Sequence, residues 1–560
     1  MALKGSPILT IIALAISFLV IVPIGFLIFG MFWTTSPGLP GELTLEYAQE
    51  GFAIGEHATL LLNTGIFAGG STILAIGIGV ALALVLKRTD TPGRKFFDAV
   101  ILVHFVFPSF LGDIAWTMLL SPRHGLLNYQ LMRLFGLESA PFNIYTHEGM
   151  IWSQGIGLAA LAYLLIHPAV ANMDPVLEEA ARISGASIKR SIGKVTLPIL
   201  FPSILATALL LFMISLRSFE TPTFIGQPGG IKVYMNAIYE NIELVIPSRY
   251  GVASTQATVL LVLMLVVVVL YLQSTKRLSK YVSITGRGYK PRVIHLGRWK
   301  FATLAFAGGY IFLSTFMPFI LLFFVSLVPF YATTRNMLEN MTLANYTQVL
   351  LDELMISGAI NSTLIAVSAA VVTTMAGAFL AYMAFRTRIR GKRVFEAIAI
   401  LPMGYPGLVF GLALLWTFLT VFRPIFGTPW ALVIAYMVIF LPLSMRSLSN
   451  TMMQVHTELE EAGATAGASW MKTMRLITLP LMKPAIINTF ILILVYAYRE
   501  VGTAVMLAGP GMYVVPVLIL FWWRSGYLPV VAAATLIYGG LMVMTLLVAR
   551  FLLTSRGKSA

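Results

Sequence analysis

The sequence predicts an all-α polytopic membrane protein of about twelve transmembrane helices, built as two homologous six-helix halves in the same orientation. Three observations lead there. The chain has 560 residues, 58% of them hydrophobic and only 11% charged, well under the charged share of about 25% usual for a soluble domain. Apolar stretches of the ~20 residues needed to cross a bilayer recur along its whole length. Two polar passages are near copies at an offset of 282: Leu177-Glu-Glu-Ala-Ala-Arg-Ile-Ser-Gly-Ala-Ser187 with Thr196-Leu-Pro198 and Pro202, and Leu459-Glu-Glu-Ala-Gly-Ala-Thr-Ala-Gly-Ala-Ser469 with Thr478-Leu-Pro480 and Pro484.

In chain order the spans are expected near 8–33, 58–86, 97–120, 150–173, 199–218 and 253–274, and again near 301–330, 358–385, 395–420, 429–448, 483–502 and 526–550. The first run is longer than the apolar core of a cleavable signal and lacks a small-x-small site after it, so it is expected to remain as a first helix. In the second span Asn63-Thr64 matches Asn361-Ser362-Thr363 of the eighth, at an offset of 298. At the same offset Arg88-Thr-Asp-Thr-Pro-Gly93-Arg94 matches Arg386-Thr-Arg-Ile-Arg-Gly391-Lys392, and Pro108 matches Pro406. The change to 282 puts extra residues in the first half, in the outer loop 121–149, whose counterpart is the short 421–428. Beyond the duplicated loops Arg217 pairs with Arg499 and Pro228-Gly229 with Pro510-Gly511. Six spans per repeat, an even number, give both repeats one orientation. The expected domains are a first half 1–274 with its loop 174–198, a basic linker 275–300, and a second half 301–560 with its loop 452–480.

A formal net charge of +15 could suggest nucleic acid, but its distribution does not. Lys87-Arg88, Arg94-Lys95, the stretch from Lys276 to Lys300, Arg386 to Arg393 and Arg550 to Lys558 fall in segments expected inside, whereas Glu42, Glu46, Glu50, Glu138, Glu148, Asp352 and Glu353 fall outside. This is the positive-inside pattern of a bacterial inner-membrane protein with both termini cytoplasmic, and the basic excess reads as topology and contact with anionic lipid. With no cysteine, disulfides, zinc thiolates, iron–sulfur clusters and thiol catalysis are excluded. His104 and His167 stand alone within spans and read as packed or hydrogen-bonded rather than metal-ligating.

Each duplicated loop has the make-up of a compact helix–turn–helix. In the first copy Asp174 and Pro175 suit a helix cap and first position. Glu178 and Glu179 favour the positive helix start. Ala180 and Ala181 are small helix formers, Gly185 ends the helix, and a second short helix is expected over 187–195 before Pro198 and Pro202 return the chain to the membrane. Small side chains let another protein's backbone approach closely, and two copies between the fourth and fifth spans point to a docking surface presented twice.

These segments resemble the Glu-Ala-Ala loop of permease subunits of bacterial ATP-binding cassette importers: Glu-Ala-Ala, three residues, Gly, nine residues, Ile, one residue, Leu-Pro. Glu179-Ala180-Ala181, Gly185, Val195 and Leu197-Pro198 match it with Val for Ile. Glu461-Ala462-Gly463, Gly467, Ile477 and Leu479-Pro480 match it with Gly for the second Ala. The resemblance implies two fused permease halves whose loops, including Glu178 and Glu460, seat in grooves of two copies of a separate ATPase. It also implies a periplasmic substrate-binding protein on the outer face. The chain itself is then no enzyme and holds no cofactor, ATP and magnesium being bound by the partner. The only Gly-Lys-Ser, at 557–559, has Leu552 where a phosphate-binding loop needs its first glycine. The linker around Ser283-Ile-Thr-Gly-Arg-Gly-Tyr and the Pro-Thr-Phe-Ile-Gly segment at 222–226 resemble permeases of the ferric iron type. That subfamily also includes carriers of thiamine, polyamines and phosphonates.

Ionisable groups near the membrane are costly to keep there and are functional candidates for that reason. Asp113, Arg217, Glu220, Arg499 and Glu500 are the candidates for a pathway or gate, followed by Gly-Pro-rich backbone that lipid does not tolerate unless it faces protein or a wet cavity. The same residues could instead fix helix ends as interfacial ion pairs. Two rival classes remain. An ion-coupled secondary transporter can share two parallel six-span repeats but calls for a mid-membrane acid or histidine relay, and an intramembrane enzyme calls for a His-Glu-x-x-His or paired-carboxylate motif that is missing. The topology is testable directly: reporter fusions at residue 285 and after the last span should both report the cytoplasm, and an external signal from either would break the six-plus-six count.

Overall fold

The computed structural model describes residues 7–52, 54–173, 176–278, 293–331, 340–387, 389, 391–509 and 511–555. Among them the chain is helical, with two isolated backbone bridges. Ten helices are long and apolar enough to cross a membrane, and two bent pairs raise the number to twelve if each is one span. Those pairs are the third and ninth spans. Arg94–Val106 turns by 96° into Phe110–Leu120, and the segment 392–404 turns by 114° into Gly407–Thr420. The bends sit at Pro108 and Pro406, which lack the N–H to continue a helix and push the preceding residue out of helical geometry.

The chain forms two compact units that alternate in sequence: Met1–Phe52 with Ile238–Leu261 and Ala344–Ala560, and Ala53–Ala237 with Val262–Leu343. In the second of these, Ile54–Arg88 packs along His147–Ala171 and Leu197–Leu216. The seventh span, Lys300–Ile311 and Met317–Ser326, lies against the bent third. Hydroxyls of Thr91 and Thr303 meet at 2.7 Å, Thr315 lies 3.1 Å from His104 Nδ1, and the Phe107 and Phe319 rings are 4.6 Å apart. In the other unit Glu353–Arg386 packs along Pro429–Gln454 and Leu479–Arg499. The first span, Pro7–Gly30, covers Lys392–Ile400 and Gly407–Thr420. Phe29 meets Trp416 edge to face, Trp416 Nε1 donates to Ser254 Oγ at 3.0 Å, and Tyr405 Oη donates to the Val20 carbonyl at 3.3 Å. Each unit thus takes up the first span of the opposite sequence half. Of the linker expected at 275–300, residues 279–292 lie outside the described ones.

The second helix expected at 187–195 is not separate from the fifth span. Ile188–Ser191 passes through a π turn, Ile192–Thr196, into Leu197–Leu216, and Trp470–Thr473 passes through Met474–Thr478 into Leu479–Arg499. Leu197 N–H reaches back to the Ile192 carbonyl and Leu479 N–H to that of Met474. Proline at 198 and 480 has no N–H to donate and crowds the carbonyl four residues back, and one wider turn absorbs the conflict without breaking the helix. The spans are therefore longer than expected, Ile192–Leu216 and Trp470–Arg499.

The second and fourth spans touch through a glycine in both halves. A Cβ on Gly79 would lie 2.4 Å from Ala162 Cβ and 2.9 Å from the Tyr163 nitrogen; one on Gly377 would lie 2.1 Å from Ser444 Oγ and 2.9 Å from the Met445 nitrogen. Close backbone approach of this kind is the main source of helix association in lipid. Backbone cannot yield, so Gly79→Ala and Gly377→Ala should each cost about 1–3 kcal/mol, read as a lowered unfolding midpoint in detergent. Gly25→Ala, with nothing within 4 Å, should leave the midpoint unchanged.

Candidate functional site: the duplicated loop and its ion-pair locks

Both loops fold as helix–turn–helix. The first helices are Val176–Ile183 and Thr457–Thr465. Asp174 and Pro175, expected to start the first, lie outside the described residues. Each helix ends in a left-handed glycine, Gly185 at φ +85° and Gly467 at φ +77°. Ala186 N–H then donates to the Ala181 carbonyl at 2.9 Å and Ala468 N–H to that of Gly463 at 3.0 Å. These six-residue closures satisfy carbonyls that the helix end would leave open. The second short helix is capped by a serine in both copies, Ser187 Oγ accepting from Arg190 N–H at 3.4 Å and Ser469 Oγ from Lys472 N–H at 3.3 Å. The glycines are exposed, with open space where a Cβ would stand. Their requirement is backbone conformation, which a Cβ strains.

The first glutamate of each pair faces inward. Glu178 forms an ion pair with Arg88, the last residue of the second span, and accepts a 2.6 Å hydrogen bond from Thr196 Oγ1. Glu460 accepts from Arg386 Nε at 3.1 Å and from Thr478 Oγ1 at 3.0 Å. Arg88 is 3% exposed and Arg386 7%, so losing either carboxylate would strand a buried guanidinium at about 3–5 kcal/mol. Arg386 also donates to the carbonyls of Met452 and Val455, closing the end of the fourth span of its half. The sequence reading put both glutamates of each pair on the docking face. The structure divides those of the second copy, with Glu460 locked inside and Glu461 exposed beside Ala462. In the first copy Ala180 is exposed, Ala181 half-buried, and Glu179 lies on the same helix. Leu197 and Pro198, like Leu479 and Pro480, begin the long helix after the π turn.

The two copies depart from the Glu-Ala-Ala pattern on opposite sides of one contact. A Cβ on Gly463 would lie 3.0 Å from Ile477 Cδ1. In the first copy the corresponding residues are Ala181 and Val195, and valine lacks that terminal methyl. One methyl has moved across the contact while the volume is kept.

The gate candidates divide between the units. Arg217 and Glu220 are half-buried at the end of the fifth span in one; Arg499 and Glu500 hold the corresponding place in the other. An interfacial ion pair was the alternative reading of Glu500. Its Oε1 instead accepts from Thr503 N–H at 3.0 Å and Thr503 Oγ1 at 2.9 Å, capping the short helix Gly502–Leu507, while its carbonyl takes the Tyr436 hydroxyl at 3.2 Å. Asp113 is 2% exposed and sits in a cage of neutral groups. Ser153 Oγ donates to it at 2.6 Å and Thr221 Oγ1 lies 3.0 Å from both its oxygens and 2.8 Å from Gln154 Oε1. Thr221 and Thr503 are equivalent at the offset of 282, so each unit sets one carboxylate on the threonine after the fifth span, from different places in the chain. Those threonines, with Ser153 and Gln154, were missed by the sequence reading, although the repeated threonine was visible at its offset. His104 and His167 are hydrogen-bonded to a threonine hydroxyl and to local carbonyls. Among the described residues no three His, Cys, Asp or Glu side chains come together as a metal site.

A sequence-family model described as "Binding-protein-dependent transport system inner membrane component" matches residues 73–280 and again 373–554. The chain is 25% identical over 543 residues to the ferric transport system permease protein FbpB of Actinobacillus pleuropneumoniae, covering 96% of this chain and 76% of that one. It is 25% identical over 504 residues to a putative ferric transport permease FbpB 1 of Haemophilus influenzae, covering 89% and 77%. Over 245 residues it is 30% identical to a putative 2-aminoethylphosphonate transport permease, PhnU, of Salmonella typhi, covering 43% and 82%. The contact between Gly463 and Ile477 has its own test. Gly463→Ala, which restores the Glu-Ala-Ala pattern at a helical position and asks only the flexible tip of Ile477 to give, should slow amide exchange over 457–473, and faster exchange would show that Ile477 cannot yield.

Proposed function

The chain belongs to the family of inner-membrane components of binding-protein-dependent transport systems, and from that premise we propose that it forms the whole translocation pathway of an ATP-driven importer. The observation that carries the reading is the pair of identically built loops, each closed by a left-handed glycine and locked by an internal ion pair, with small side chains on its exposed face. A locked loop of this kind meets a partner as a preformed surface and loses little freedom on docking. Two copies of an ATP-binding cassette ATPase on the cytoplasmic side are the occupants we assign to them, with Glu461 and its counterpart Glu179 as the acidic contacts. A periplasmic binding protein delivers the substrate to the outer side, and ATP and magnesium stay with the ATPase.

Iron(III) is the substrate we favour, supported by the ferric transport permeases that align with nearly the whole chain. Phosphonate stands second, supported by the shorter alignment; thiamine and polyamines follow. In this reading Asp113 and Glu500, each tied to a threonine, shape the pathway while their neutral partners keep its walls weakly charged. Iron(III) then passes as cargo already chosen by the binding protein. Arg217 and Arg499, each at the end of the fifth span in its own unit, are the gate candidates this reading keeps.

In cells carrying the full set of subunits, Gly185→Trp and Gly467→Trp should insert normally yet lose ATPase association and at least tenfold of radiolabelled iron(III) uptake. Gly467→Asn should retain both, because asparagine tolerates a positive φ. Normal association and uptake in both tryptophan variants would sink the assignment. Uptake of 2-aminoethylphosphonate in place of iron would move the substrate and leave the permease reading standing.

A further inference from the structure

The match between Asn63-Thr64 and Asn361-Ser362 has no part in docking, yet the structure uses it identically twice. Asn63 Nδ2 donates to the Lys232 carbonyl at 2.9 Å, and Thr64 Oγ1 accepts from Tyr234 N–H at 3.2 Å. Asn361 Nδ2 donates to the Tyr513 carbonyl at 3.1 Å, and Ser362 Oγ accepts from Val515 N–H at 2.9 Å. Tyr234 and Val515 begin the short helices Tyr234–Glu243 and Val515–Arg524 that follow the fifth span. Each second-span helix therefore holds the start of a short helix near one end and a loop glutamate at the other. From Thr64 to Arg88, and from Ser362 to Arg386, the chain runs through one unbroken helix over ~36 Å.

The neighbouring helices are not built to carry a push. The third and ninth spans are bent by 96° and 114°. The fourth and fifth of both halves contain Pro168, Pro202, Pro442 and Pro484, and both fifth spans contain a π turn. Proline and π turns are where helices bend. Ile54–Arg88 and Glu353–Arg386 have no internal proline.

We infer that in each half the second-span helix is a strut that moves the docking loop and the start of the short helix together. Glu178 with Arg88 and Glu460 with Arg386 are its inner joints, and Asn63-Thr64 and Asn361-Ser362 its outer joints. These are positioning residues, and the inference rests on the reading that the loops receive the stroke of a partner ATPase.

The absence of cysteine makes the test clean. Ser525→Cys, exposed just past Val515–Arg524, is introduced into the full chain, assembled with its ATPase in nanodiscs, and labelled with a maleimide with and without ATP. ATP should change the labelling rate several-fold in this parent. In Glu460→Gln, and separately in Asn361→Ala with Ser362→Ala, the ATPase should still co-purify while the labelling rate stays within twofold of its ATP-free value. Ser362→Thr, which copies the first half, should behave as the parent. Joint variants that keep the parent's ATP response would overturn the strut, as would a parent whose labelling ignores ATP despite bound ATPase. A parent that captures no ATPase at all would overturn the permease reading instead.

Discussion

A guanidinium and a carboxylate held together at the edge of a membrane protein cannot part without one of them becoming a buried, unpaired charge, at about 3–5 kcal/mol. Arg88 with Glu178 and Arg386 with Glu460 set that condition at the same place in each half. The arginine ends the second span, the glutamate sits on the first helix of the loop, and a threonine before Leu-Pro closes the triangle from the fifth span. Three segments distant in sequence are thereby fixed to one another, and the loop's outer face, its glycine turn and its small residues take their positions from that fixture.

The opposite ends of the same helices obey a complementary rule. A short helix whose start is buried has to find partners for its first N–H groups, because water does not reach them. Thr64 and Ser362 accept from Tyr234 and Val515, while asparagine beside them ties down the preceding carbonyl. Between the two ends, Gly79 and Gly377 let the fourth span approach to backbone contact. Unbroken, proline-free helices are thus tied at both ends, beside third and ninth spans bent at Pro108 and Pro406.

Where the halves differ, the differences conserve a physical quantity. Ala181 with Val195 and Gly463 with Ile477 conserve volume at one contact. Asp113 on Thr221 and Glu500 on Thr503 conserve a carboxylate on one hydroxyl, although the acids come from the bent third span in one unit and the end of the fifth in the other. Comparing equivalent positions alone would have paired Asp113 with Gly411 and Glu500 with Ser218 and found no relation.

Composition and hydropathy by themselves determined that the chain is helical and crosses a membrane, because lipid leaves a backbone few other ways to satisfy its polar groups. The two offsets, 282 and 298, determined the duplication and the position of the loops. The turn at Gly185 and Gly467 was legible too, since few residues other than glycine adopt a positive φ cheaply. What only the tertiary structure decided is partnership. Glu178 and Glu179 are neighbours in sequence with equal claims on a docking face, and nothing in their spacing tells that Arg88, 90 residues back, takes the first of them. The exchange of first spans between the compact units was equally hidden, because an apolar helix carries no mark of which apolar surface it covers. Hydropathy and helix-end chemistry are local and can be read along the chain, whereas pairing depends on which surfaces the fold brings within a few ångströms.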